Sequence, residues 1–406
     1  MLLALLVAAG AGTAAPPEAS KIAPPEASKI APPEAATTAL IREVVAEVEQ
    51  IRGLKRKVNL KVELLDAPLF VAKVREKARE ELKPEVVAEE KARWLGFDLA
   101  PADADPARIL LEVLDEQVAG FYDPHEKKLF VRDDAGKSPD LLRLVLAHEI
   151  EHALQDQSFG IPEMATLPDD DVRLARSALL EGDAMAVMTA YAARRAGRPI
   201  EAAMRAAAQA MRSVGGAGVG GADMEKLRKA PAVVREELLF PYVEGFAFVA
   251  EAWRRGGFAQ VDKLFQKPPQ STHQVLHPEA YFAGEEPATM PQPPLPAGAK
   301  LLARGKMGEL GARLAFQACL DPEVGREFVP AWLGDSFTVY ELHGHAELIW
   351  QTAWTGTKAE NVANLLQLME PCWAEQKGVA PETHVARKGN AVAVTRGSTN
   401  PDTLLR

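Results

Sequence analysis

Ala147-His148-Glu149-Ile150-Glu151-His152-Ala153-Leu154-Gln155 carries the pattern HExxH. On a helix, residues four apart share a face, so His148 and His152 can reach one metal ion. Imidazole nitrogen suits zinc, and two histidines leave room for a third protein ligand and a water. Glu149 directly follows the first histidine, where it can accept a proton from that water. The preceding run Leu141-Leu142-Arg143-Leu144-Val145-Leu146-Ala147 is almost wholly apolar, which predicts a buried helix. Two histidines and two glutamates in a buried helix are costly unless paired or metal-bound. The start is well marked: Ser138 can cap, Pro139 fits the first helical position and Asp140 suits the first turn. These residues point to a Zn2+-dependent hydrolase, in the first place a peptidase.

The chain has 406 residues, 47% of them apolar and 26% charged, an ordinary globular composition long enough for two or three domains. A net charge of −10 argues against nucleic acid or an anionic membrane surface as the main partner. Residues 1–14 open with Met1-Leu2-Leu3-Ala4-Leu5-Leu6-Val7-Ala8-Ala9-Gly10-Ala11 and read as a secretory signal peptide, too short to span a bilayer and followed by small residues suited to cleavage. No Lys or Arg precedes that apolar run. Export, to periplasm or medium, is the expectation, and no later segment has the length and apolarity of a transmembrane helix. Cys319 and Cys372 are the two cysteines. They form no CxxC, and in an exported chain a disulfide between them is expected.

Residues 15–36 contain an octapeptide repeat, Ala15-Pro16-Pro17-Glu18-Ala19-Ser20-Lys21-Ile22 recurring at 23–30, which reads as an extended Pro-rich spacer. A helical pattern follows (Ile41, Val44, Val45, Val48, Ile51), then an alternating strand at 58–65 and further helical patterns to about Leu95. Val118–Tyr122 and Lys128–Val131, parted by Asp123-Pro124, predict a hairpin just before the HExxH helix. Residues 169–197 form a second strong helix, acidic at its start and basic at its end. The run 215–221 holds a formal GxGxxG, but it follows a helix rather than a strand and reads as a flexible loop. Residues 240–282 are largely helical and a Pro-rich stretch, 283–299, links to a terminal region. That region predicts a hairpin across His343-Gly344-His345, a helix at 359–369 and a second hairpin near 385–395. The fold class is therefore α+β and helix-rich: a core at 37–290 that holds the HExxH helix, and a small C-terminal α+β region at 300–406.

A catalytic zinc needs a third protein ligand. Glu181, in Leu179-Leu180-Glu181-Gly182-Asp183-Ala184, lies mid-helix among apolar residues and on the next strong helix after the motif. Antiparallel packing of the two helices would bring it to the histidines. Asp156 competes, but a helical turn advances about 5.4 Å and carries it past an ion shared by His148 and His152. Glu244 is a weaker alternative. For stabilising an oxyanion, His277, Tyr281 and Tyr122 are the candidates.

With these residues in view, the chain resembles the HExxH zincin metallopeptidases. The third carboxylate on a downstream helix is similar to their gluzincin branch. More closely, Gly120–Pro124, Ala147–Gln157, Leu180–Ala184 and Ser271–Pro278 resemble segments of uncharacterised exported bacterial metallopeptidases. The resemblance implies His148, His152 and Glu181 as ligands and Glu149 as base. Well-known gluzincins place an acidic residue four positions after the glutamate ligand to hold a histidine. Here that position is Met185, and Asp183 stands only two residues on, so the orienting role must fall elsewhere. The expected activity is hydrolysis of a peptide or protein substrate. The alternatives are an exported binding module with a structural zinc, and a zinc hydrolase of cell-wall amides. Oligomeric state and cleavage preference are not legible.

Overall fold

A computed structural model describes residues 35–133, 138–213, 225–356 and 358–405. The signal-like stretch, residues 15–34 of the spacer and the glycine-rich run 215–221 lie outside them. The last two residues expected in the spacer, Ala35 and Ala36, already belong to the first helix, Ala35–Arg52. The architecture is helix-rich α+β, with helices around one three-stranded and one five-stranded sheet. Among the described residues, no helix is long and apolar enough to cross a membrane.

The expected hairpin forms from Gly120–Asp123 and Lys128–Arg132, paired antiparallel. Lys61–Leu65 adds in parallel on the far side of Lys128–Arg132, so Gly120–Asp123 is an edge strand. Its four residues are nonetheless buried, because it runs against the helix Pro139–Phe159, called here the motif helix. Gly120 makes that approach possible: a Cβ there would stand 2.9 Å from Val145 Cγ1 and 3.4 Å from Glu149 Cγ. The motif helix starts as the sequence indicates, with Ser138 accepting from the Leu141 N–H and Pro139 in the first turn. Its apolar positions Val145, Leu146 and Ile150 pack with Val44, Val45 and Val48 of the first helix.

The second strong helix, Asp170–Arg195, is capped by Asp169 and called here the glutamate helix. It lies between the motif helix and a third long helix, Ala232–Gly256, which runs straight through Pro241. The last two cross very closely at Gly182 and Gly245: a Cβ on Gly182 would stand 2.2 Å from the Gly245 carbonyl oxygen. Glycine at 182 thus sets the depth at which its neighbour Glu181 is held.

Lys300–Gly305, Trp332–Leu342, His345–Trp354, Ala391–Arg396 and Thr383–Lys388 form the antiparallel five-stranded sheet in that order. Both expected hairpins are present, the first turning at His343 and Gly344 with φ of 54° and 83°, the left-handed values a tight hairpin turn needs. The Pro-rich stretch is more than a linker. Ala288 N–H donates to Leu333 O at 2.8 Å, and Ser336 and Thr338 donate to the carbonyls of Pro291 and Pro293, so it straps the sheet. One buried cluster runs through both regions: Phe97 meets Phe337 and Trp350 edge-on, with centroids 5.3 and 5.2 Å away. Cys319 and Cys372 are joined as a disulfide.

Candidate metal centre

The motif helix presents His148 and His152 on one face, and the glutamate helix delivers Glu181 to it. His148 Nε2 lies 3.1 Å from Glu181 Oε2, His152 Nε2 lies 3.5 Å from Glu181 Oε1, and the two Nε2 atoms are 3.2 Å apart. One donor atom from each of the three residues falls within 4.8 Å of the others, a separation one ion can bridge. His148 and Glu181 are fully buried and His152 is 5% exposed. Glu181 Oε1 and His148 Nδ1 find no hydrogen-bond partner, and neither do both oxygens of Glu149. Buried polar atoms are rarely left so, and two imidazoles with one carboxylate are a donor set that fits zinc.

The electrostatics divide the two carboxylates. Burial pushes the Glu149 carboxyl up to about 8, opposed by the His152 charge and reinforced by the Glu181 charge. Glu181 is also buried, but His152 and His148 outweigh burial and hold it down to about 2. Burial holds the His148 pKa below the usual imidazole range. Burial acts against the His152 charge too, yet Glu181 and Glu149 raise it to about 9. An anionic Glu181 beside imidazole nitrogen is the charge state a divalent cation recruits, and the cation displaces any imidazole proton.

Behind His152 stands a residue that sequence reasoning missed. Gln155 Oε1 is 3.0 Å from His152 Nδ1, while Gln155 Nε2 donates to Leu180 O at 3.0 Å and Asp183 Oδ2 at 3.2 Å. Since the amide nitrogen faces two acceptors, the amide oxygen must face the histidine. In its neutral form His152 therefore carries its proton on Nδ1, which leaves Nε2, the nitrogen facing Glu181 and His148, for a cation to take once its proton is displaced. Asp183 is fixed in turn by Arg52, whose buried guanidinium also reaches Glu151 at 3.1 Å and Asp262 at 2.6 Å. Gln155 fills the orienting role left open by Met185. Its place one turn beyond His152, on the same helix face, is a signal that was available. Arg52, 131 positions before Asp183, gave none.

The remaining candidates bond elsewhere. Asp156 accepts from the Tyr122 hydroxyl at 2.7 Å and pairs with Lys127 at 2.6 Å, outside the ligand set. The Tyr122 hydroxyl is spent on Asp156, and burial and that contact keep it protonated. Glu244 pairs with Arg212 at 3.2 Å. Tyr281 donates to the Lys267 carbonyl, and His277 Nε2 meets Glu309 at 2.9 Å in a separate cluster. His343 and His345 lie at the exposed hairpin turn, as expected.

Compared with models of protein families, with curated proteins and with solved structures, the chain matches none.

Proposed function

We propose that this chain is an exported, zinc-dependent peptidase, with His148, His152 and Glu181 holding the metal and Glu149 acting as general base. One observation carries the reading: three zinc-compatible donor atoms lie within 4.8 Å of one another, beside a buried Glu149 carboxylate with no partner of its own. Bound zinc supplies Lewis acidity toward a scissile carbonyl and its attacking water. The protein does the rest. Gln155 holds His152 in the tautomer that leaves Nε2 free to bind. Glu149 takes a proton from the attacking water and passes it to the leaving amine. The Cys319–Cys372 disulfide supports an oxidising compartment.

The test is Glu149→Gln. It is expected to fold and keep stoichiometric zinc while losing cleavage of a broad peptide library by at least ~100-fold. Cleavage at the wild-type rate sinks the general-base role. The near-complete burial of the ligand set favours a second reading, an exported binding module with an enclosed structural zinc. In that case the wild-type chain binds zinc, cleaves nothing and is indifferent to Glu149→Gln.

A further inference from the structure

We propose that His273, His277 and Glu309 form a second metal site, which takes one exchangeable divalent transition ion of the zinc class. His273 Nδ1 lies 2.5 Å from Glu309 Oε2, His277 Nε2 lies 3.0 Å from Glu309 Oε1, and the rings are 4.7 Å apart between centroids. One donor atom from each falls within 4.8 Å of the others. Two imidazoles and a carboxylate select zinc, cobalt, nickel or copper over magnesium and calcium, which prefer all-oxygen shells.

The segments that carry the ligands are fixed by bonds outside the ligand set. His273 lies in the short helix Thr272–Leu276 and His277 is the C-cap that ends it; Ser271 caps its start, and Asp171 anchors it by accepting from Thr272 N–H at 2.7 Å and Thr272 Oγ1 at 2.6 Å. Glu309 opens the helix Gly308–Cys319, whose preceding backbone is gripped by Asp335 through Met307 N–H and Gly308 N–H. Leu310 N–H donates to Thr272 Oγ1 at 3.1 Å and locks the two elements together. The site is thus preorganised for an ion rather than assembled by it.

It is also separate from the first centre. Asp171 and Glu181 lie ten residues apart on the glutamate helix, about 15 Å along its axis. Access differs as well: the His273 and His277 side chains are 17% and 25% exposed, so an ion can leave to solvent, while Glu309 is 6% exposed. The ion would tie segment 271–277 to the first helix of the C-terminal region, Gly308–Cys319. Binding there is expected to raise the melting temperature as zinc is added.

The experiment uses the full chain and Zn2+ alone. After gel filtration in micromolar zinc, the wild type is expected to carry two zinc ions per chain and the double variant His273→Gln/His277→Gln one, with unchanged circular dichroism. A double variant that fails to fold leaves a measurement on the wild type. Zinc, but not magnesium, should protect His273 and His277 from ethoxycarbonylation in peptide mapping. One zinc in both chains, or modification of both histidines regardless of zinc, overturns the second site. A single zinc that the double variant loses upholds it and removes the first centre instead.

Discussion

Gln155 Oε1 stands 3.0 Å from His152 Nδ1, one helical turn further along the same helix. That contact decides which ring nitrogen of His152 is free to bind a metal. Gln155→Leu keeps the volume and removes the acceptor. Loss of an orienting partner of a metal-bound histidine lowers metal affinity by roughly 10- to 100-fold. Competition with a chromophoric chelator measures it, and an unchanged zinc affinity in a folded Gln155→Leu chain would remove Gln155 from the centre.

Of the three carboxylates the sequence offers as third ligand, Glu181 is the one it favours, and the side-chain partners separate them the same way. Glu181 faces both histidines, Asp156 is engaged by Tyr122 and Lys127, and Glu244 pairs with Arg212. Glu181→Ala should lose zinc on dialysis against a mild chelator, a weakening of several kcal/mol against the ~10–16 kcal/mol typical of structural zinc peptides. Asp156→Ala and Glu244→Ala should retain it. Retention by Glu181→Ala with loss in either of the others would overturn the pairing of the two helices at the metal.

Gly182 tests the packing that delivers Glu181. Its added Cβ would meet the Gly245 backbone, which has no flexible end to swing aside. Gly182→Ala is expected to cost on the order of 1–3 kcal/mol of stability, as overpacking does, and to weaken zinc binding because the helix carrying Glu181 must shift. Urea melts with and without zinc separate the two effects. A variant as stable as wild type in both conditions would show that the crossing is looser than its geometry.

The parts of the site that sequence made legible are those governed by local periodicity. HExxH on a capped, apolar helix places two histidines and a glutamate together by helical geometry alone, and Glu181 stood out as a carboxylate in an apolar stretch of the next helix. The hairpins around 120–131 and 343–345 and the start of the motif helix followed from turn and capping chemistry in the same way. What stayed hidden depends on contacts between distant segments. Arg52 reaches Glu151, Asp183 and Asp262 across 99, 131 and 210 positions, and no window of sequence contains that relation. His277 was noticed as a reactive type before a proline, yet its partner Glu309 lies 32 positions on. The Pro-rich strap over the five-stranded sheet was hidden for another reason: its carbonyls accept from strand side chains, and proline content says nothing about acceptors.

Asp335 gives the structure a pH signature that owes nothing to zinc. Its carboxylate is fully buried and accepts from Met307 N–H, Gly308 N–H and Trp350 Nε1–H. Burial outweighs those three donors and raises its pKa from 3.8 to about 6. In the unfolded chain the group titrates near its ordinary value. Between those two values the folded state binds more protons, so stability falls as pH rises and the loss is complete only above the folded pKa. From pH 5 to pH 7.5 this group should remove on the order of 1 kcal/mol. Asp335→Asn cannot ionise, so its stability should fall less over the same interval. It should also be less stable at both pH values by roughly 1–3 kcal/mol, because its amide NH2 must face a backbone N–H that the carboxylate satisfied. Urea melts of both chains at pH 5 and 7.5 decide the point, since every titration they share cancels in the comparison. An identical pH difference in the two chains would mean that Asp335 titrates at the same pH folded and unfolded, and that its three donors fully offset its burial.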